Sequence, residues 1–354
     1  MAGLTGREIK AAFAKFATNS WGVAASVTRG IHFTSDGGAK LSRLRVNDEA
    51  LGQTFLGRGD FGDTQAQDIT LTKQDRYADF QYVYEALAMG SPAAVTISTS
   101  TATQTTSWRH VIDLAPSIDG LGVTMAYDKV TFVDEMTSAK VYGMSKTVGD
   151  SGVMDTTFNV MAAQMTDISS VNTRSTVNGA TYPALDNRVF RRQGTFRLNP
   201  QSAGSLAATN AVNLEGFTFE FSRPQDAPNV TGQDYIFEPA DAGFPETKLT
   251  ITFPRMNTVS ANSVYAALRA DTVFKADMEF LGSYINSTDR YTERIEWPAL
   301  ELDTDGFTAT ESGANQVKPQ VVFLAKSAAT SPNGMAFTNP FRITRITTQS
   351  LVAF

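Results

Sequence analysis

Val27–Phe33 has the β-branched, alternating character of a strand. Further short strands are predicted over Asp68–Lys73, Trp108–Leu114, Gly122–Tyr127, Lys129–Asp134, Ala139–Met144 and Met154–Ala162. A Ser/Thr-rich stretch at Val95–Thr106 begins with a period of two. The second half continues in the same way at Thr195–Leu198, Gly216–Ser222, Tyr235–Phe237, Lys248–Phe253, Phe274–Ile285, Arg290–Trp297, Phe307–Thr310 and Gln320–Lys326. Short strands separated by turns indicate an all-β sandwich or barrel. Helical spacing is rarer. Over Ala78–Met89, Phe80, Val83, Tyr84 and Leu87 form one apolar stripe, and Gly90 and Pro92 mark a stop. That stripe reads as core, and Asn262–Ala270 reads as a second helix. Ala11, Phe13, Ala14 and Phe16 fit a short amphipathic helix, or an arm that orders on assembly.

The pattern occurs twice. Phe61-Gly62-Asp63-Thr64, Ile69-Thr70-Leu71 and Tyr82–Leu87 are followed, about 182 residues on, by Phe244-Pro245-Glu246-Thr247, Ile251-Thr252-Phe253 and Ser263–Leu268. A repeat of this length is a duplicated domain, not a solenoid. The reading is an N-terminal arm over 1–25, a first domain over 26–165, a polar linker over 166–187, a second domain over 188–330 and a C-terminal arm over 331–354. In the last of these, Phe341, Ile343, Ile346 and Leu351 suit either a packed return strand or an arm onto a neighbour. Two long stretches stand out as candidate interaction loops: 35–62, with six glycines, and its counterpart 222–243, rich in Pro, Gly and Asp.

Charge sharpens the duplication. The 354 residues carry 30 Lys+Arg and 36 Asp+Glu, and each half holds 15 and 18 of these, a net of −3 apiece. This even spread argues against a basic nucleic-acid clamp. The absence of cysteine excludes disulfides and thiolate metal sites. No secretory signal is visible, and no apolar run approaches the roughly 18–20 residues of a membrane span.

Candidate chemistry is sparse. Gly149-Asp150-Ser151-Gly152 looks like the nucleophile segment of chymotrypsin-like proteases, but His32 and His110 both fall at strand positions and the segment reads as a turn. Asp303-Thr304-Asp305-Gly306 begins like a calcium loop, yet Glu311 comes too early, and a turn is again the better reading. Gly120-Leu121-Gly122 lacks the third glycine of a dinucleotide fingerprint, so no cofactor is expected. Trp108 and Trp297 read as core. Arg188, Arg191 and Arg192 form the tightest basic cluster, at the start of the second domain, and suit an inter-subunit or inter-domain contact.

Several segments resemble one family. Asn19–Ala24, Val130-Thr131-Phe132, Lys140–Gly143, Asp155–Phe158, Gly194–Asn199, Phe221–Pro224, Glu238-Pro239 and Phe244–Pro254 together are similar to the major tail proteins, or tail tube proteins, of long-tailed, non-contractile bacteriophages. The resemblance spans nearly the whole chain. It implies a mainly β protein with two tandem β-sandwich or barrel tail-tube domains, each flanked by one α-helix. It implies a structural virion protein and not an enzyme. It also implies homotrimeric, pseudo-hexameric rings that stack into a tube through which DNA passes without specific binding, since each domain would meet the next head to tail until the ring closes. Implied partners are the tape-measure protein, the tail terminator and baseplate proteins, with no membrane. The location would be the virion tail, after assembly in the host cytoplasm. In such a tube the two loops would reach the adjacent ring through Lys40, Arg43, Arg45, Asp48, Glu49, Arg58, Asp60, Arg223, Asp226 and Asp234. The alternatives are another phage assembly protein, a tail-tip or baseplate component, or a carbohydrate- or receptor-binding module.

Overall fold

A computed structural model describes residues 9–15, 21–35, 43–46, 60–64, 67–90, 107–149, 152–167, 169–233, 235–255, 264, 266, 270, 272–310 and 318–349. The fold is mainly β. The first half contains β1 (Lys10–Lys15), β2 (Arg29–Ile31), β3 (Arg43–Val46), β4 (Asp60–Thr64), β5 (Gln67–Gln74), helix α1 (Gln81–Met89), β6 (Trp108–Asp113), β7 (Val123–Asp128), β8 (Val133–Val148), β9 (Met154–Ala162) and β10 (Met165–Thr166). A short helix α2 (Arg174–Gly179) follows. The second half contains β11 (Gly194–Pro200), β12 (Ala211–Val212), β13 (Gly216–Ser222), β14 (Gln225–Asp226), β15 (Ala240–Asp241), β16 (Glu246–Thr252), β17 (Phe274–Tyr284), β18 (Arg290–Thr310), β19 (Lys318–Ala325) and β20 (Arg342–Thr347).

Alternation is clear in two of the predicted strands. Along β9 the residues are in turn buried and half-buried, and in β13 Phe217, Phe219 and Phe221 point into the core while Glu220 is exposed. Helix α1 ends where Gly90 takes the left-handed conformation (φ 71°) and its N–H reaches Ala86 O and Leu87 O. The second predicted helix lies mostly outside the described residues. Of its positions, Val264 is helical and buried.

The duplication is written in the strand order. The first half runs β5–β9–β8–β7–β1–β2, and the second runs β16–β19–β18–β17–β11–β12, antiparallel throughout. Even an irregularity recurs. Val123 pairs Ala139 and Met125 pairs Met136, while Phe274 pairs Leu300 and Ala276 pairs Trp297. This fixes Ala139 as the counterpart of Leu300. Their partners Ala162 and Ala325 follow, and counting along β9 and β19 to Phe158 and Val321 aligns Leu71 with Ile251. The sequence motifs had placed Leu71 on Phe253. The two-residue slip leaves every side chain on the same face, which is why the motifs still resembled each other.

The halves are not two beads on a linker. One 16-stranded sheet runs through both, and one core contains Leu71, Tyr84 and Phe158 together with Phe219, Trp297 and Phe323. Two ladders join the halves: β13 pairs β8, and β20 lies between β18 and β6. Three boundary expectations change accordingly. Residues 10–15 of the predicted N-terminal arm are a strand between β2 and β7, with Phe13 buried against Phe80 and Tyr84. The predicted C-terminal arm contains β20, a packed return strand. The polar linker carries α2 and is docked: Asn172 accepts from Val27 N at 2.8 Å and donates to Ala25 O at 2.9 Å, while Val177 is fully buried.

Other differences share one cause. The predicted strands ending at Asp134 and spanning Ala139–Met144 merge into the 16-residue β8, and Arg290–Trp297 and Phe307–Thr310 merge into the 21-residue β18. Each long strand changes partner midway, so local turn residues do not break it. Asp303–Gly306 is therefore an irregular stretch inside β18, between Leu302 and Phe307, and not a turn between strands. Tyr235–Phe237 is not a strand, and Val95–Thr106 lies outside the described residues.

Candidate functional site

Helix α1 is buried on every side, not only along its apolar stripe. Its polar face meets an ionic cluster that no local pattern announced. Glu85 receives Arg345 in a two-pronged contact, Nε to Oε2 at 2.8 Å and Nη2 to Oε1 at 2.9 Å. Lys146 on β8 lies 2.7 Å from Glu85, 2.8 Å from Glu293 and 3.1 Å from Asp75. Arg345 also reaches Glu293 at 2.8 Å. Asp75, Glu85 and Lys146 belong to the first half, and Glu293 and Arg345 to the second. All five are buried. Burial alone would raise Glu85, but Arg345 and Lys146 outweigh it and hold the carboxyl at about 2. Glu293 moves the other way. Burial raises it, and Asp75 and Glu85 add to that against the pull of Arg345 and Lys146. Beside this cluster, Lys73 is fully buried and donates to Asp79 at 2.6 Å and to Gln81 at 2.7 Å.

His110 lies close by. Its ring stacks on Tyr82 with centroids 4.0 Å apart, and Nε2 donates to the Gln349 carbonyl at 3.0 Å. Burial pushes this imidazole down to about 4, with the Arg345 charge adding to the effect against the hydrogen bond to Gln349. A histidine held neutral in the fold binds its proton more readily when unfolded. Stability is therefore expected to fall as pH drops from about 6.5 towards 4, by as much as about 3 kcal/mol. Urea titrations across that range should show the slope in the parent chain and a flatter one in His110→Phe. Equal slopes would mean the imidazole is not the titrating group. His32 is occupied elsewhere, with Nε2 at 3.0 Å from Pro183 O. Gly149 and Gly152 lie between β8 and β9, with Gly152 N donating to Gly149 O at 3.0 Å, and Asp150 and Ser151 lie outside the described residues. Among the described residues no three His, Asp or Glu side chains are grouped to hold a metal ion.

The sequence-selected residues separate into distinct places. Arg223 is not an outer loop contact. It is buried, donates to Asp241 Oδ2 at 3.0 Å and to the carbonyls of Met89, Ala115 and Pro116, and so covers the C-terminal end of α1 from the opposite half. The loop it belongs to folds over the first half. Glu238 accepts from Lys140 at 2.9 Å and from Gly120 N at 2.7 Å, and Trp21 Nε1 donates to Ile236 O at 2.9 Å. Gly22 (φ 83°) is held against Tyr235, where a Cβ would come within 2.6 Å of the ring hydroxyl. Other positions face out: Asp226 is exposed, Phe237 is 53% exposed and Phe244, just after the loop, 93%.

Both long loops contain a two-stranded ribbon separate from the main sheet, β3–β4 in the first half and β14–β15 in the second. Arg43 pairs Thr64, Arg45 pairs Phe61, Asp60 pairs Val46, and Asp226 pairs Ala240. Lys40, Asp48, Glu49, Arg58 and Asp234 lie outside the described residues. The arginines of the basic cluster diverge. Arg188 donates to Gln74 at 3.0 Å, Arg191 to Glu215 O at 2.9 Å, and Arg192 lies over the Phe190 ring at 4.9 Å. Their backbone runs along the first half, through Met154 N to Val189 O, Val189 N to Asp75 O and Arg191 N to Gly152 O. The segment is an inter-half tether. Of the two tryptophans expected in the core, Trp297 is fully buried against Phe217 and Phe219, whereas Trp108 is only half-buried.

The decisive geometry is an edge. The first section of β8 pairs β7, and beyond the end of β7 the same edge is taken by β13 from the second half, with Phe217 opposite Val148 and Ser222 opposite Gly143. In β18 the first section pairs β17 up to Leu300. Beyond it, from Leu302 to Thr310, the corresponding edge has no partner strand among the described residues. No protein-family model matches the chain, and no curated protein matches it.

Proposed function

We propose that this chain is a structural protein of a phage tail, forming homotrimeric, pseudo-hexameric rings that stack into the tube through which DNA is delivered. One observation carries the reading. The two halves already associate as neighbours in a ring would, by strand pairing across β8 and β13, and among the described residues the equivalent edge of β18 is left open for the next chain. A heterologous contact of this kind closes after a fixed number of copies, and closure removes the exposed edge that makes a lone sheet prone to uncontrolled pairing. The ribbons β3–β4 and β14–β15, with Phe237 exposed on the second loop and Phe244 just after it, suit contacts between rings. The remaining partners in this reading are the tape-measure, tail terminator and baseplate proteins.

Electron microscopy of the purified chain tests this. The expected result is stacked hollow rings with a sixfold-like outline and true threefold symmetry; a monodisperse monomer under all conditions would refute it. Deleting residues 47–59, the part of the first loop beyond β3, should leave a folded protein that still forms rings but does not stack. Loss of soluble protein instead would place that segment in the core.

A further inference from the structure

Two cavities occupy the same place in the two halves. The smaller, about 300 Å³, is lined by Phe196, Val212, Leu214 and Met278. The larger, about 560 Å³, is lined by Ala11, Ile31, Phe33 and Tyr127. The registers make these counterparts. Ala11 pairs both Ile31 and Tyr127, and Phe196 pairs both Val212 and Met278. Thr34 N donates to Thr72 O at 2.7 Å and Glu215 N to Thr252 O at 2.8 Å, so the chain leaves each cavity along the same path, at Ser35 and at Gly216.

The cavities differ in one wall. The smaller is closed by Val148, which comes from the other half at the end of β8 and pairs with Phe217 on the rim. Among the described residues the larger has no such wall from the second half; its lining comes from residues 9–11, 31–35, 127 and 182. The counterpart of the β8 end is the β18 end. Thr147 pairs Asp155 three residues before Phe158, and Thr310 pairs Lys318 three residues before Val321. The polar character of the two sites changes in step. The larger cavity presents Lys10 and His32 where the smaller presents Thr195 and Asn213.

We infer that the larger cavity is the seat for the Thr310 end of β18 from a second copy of this chain, entering beside Ser35 as Val148 enters beside Gly216 within the chain. The inference rests on the ring reading and adds to it which surfaces meet and in which register.

The chain has no cysteine, so engineered pairs react without background. The full chain carrying Ser35→Cys and Thr310→Cys, treated with a short bismaleimide under assembling conditions, should yield covalent dimers and trimers about tenfold or more above either single-cysteine chain. The internal counterpart, Thr147→Cys with Gly216→Cys, should link within one chain and shows that the linker spans this spacing. Rings that form without a Ser35–Thr310 link overturn the seat and leave the ring reading standing, and a link inside a single chain overturns it too. A chain that never assembles overturns the ring reading, and the seat with it. If the double variant does not fold, Lys10→Cys with Thr310→Cys, at an exposed position lining the same cavity, serves instead and should give the same covalent dimers and trimers. Rings that form without that link would count against the seat.

Discussion

Replacing Arg345 by methionine is expected to destabilise the chain by about 3–5 kcal/mol, a large share of the roughly 5–15 kcal/mol that holds a typical domain together. Arg345 is 2% exposed and faces Glu85 and Glu293 at 2.8 Å each. Removing it leaves three buried carboxylates, those of Asp75, Glu85 and Glu293, around Lys146 alone. An uncompensated buried charge costs more than a cavity of the same size, because no water enters to solvate it. The pH dependence carries a sign that identifies the source. Glu85 sits at about 2 in the fold against 4.5 when free, so its contribution is present above about 4.5 and is lost as pH falls towards 2. In Arg345→Met part of that pull is gone, and the acid-limb loss between those values should shrink. Chemical denaturation at pH 7 and along the acid limb measures both. A change below about 1 kcal/mol at pH 7 would show that the cluster is solvated and carries little of the junction.

Ending the chain at Asn339 is expected to leave no stably folded protein. The missing segment includes Phe341 and Ile343, both fully buried, with Phe341 packed on the Phe219 and Phe221 rings. Losses of about 3–5 kcal/mol for a core phenylalanine and about 2–5 for an isoleucine already approach the whole stability of a domain. β20 also supplies backbone partners to β18 and β6 at once, so its removal opens two edges and takes Arg345 away. Circular dichroism and solubility of the truncated chain decide the matter. A folded, soluble product that merely fails to assemble would mean that the segment acts as an arm and not as part of the sheet.

These two outcomes bear on how the halves relate. A ring protein with loosely tethered domains would tolerate relative motion. Here the contact is a strand ladder, a shared core and a buried ionic cluster together, so the pair is fixed in one register. A slipped register would leave a buried charge of that cluster without its partner. In the proposed ring, the edge of β18 left open among the described residues would meet its neighbour from a rigid base.

The sequence by itself determined the main strands of both halves, the helix α1 and the duplication; β1, whose spacing suits a helix or an arm, was not among them. Each rests on a local signal: alternation in β9 and β13, a period near 3.6 with a Gly90 stop in α1, and repeated spacing between the halves. It also singled out the two loops, because their glycines and charges cannot pack as a core. It did not show which edges join, since backbone hydrogen bonding between β8 and β13 depends on no particular side chain. Nothing in the local pattern marked Glu85, Lys146 and Arg345 as buried partners, because a lone charge carries no sign of its partner; only folding brings residues 61 and 260 positions away from Glu85 to its carboxylate. Arg223 was misplaced for the same reason, as an arginine in a polar loop whose partners are carbonyls at the end of a distant helix. Local periodicity determined which faces are buried. What they are buried against was decided by pairings that span the chain, and those exist only once the sheet has closed.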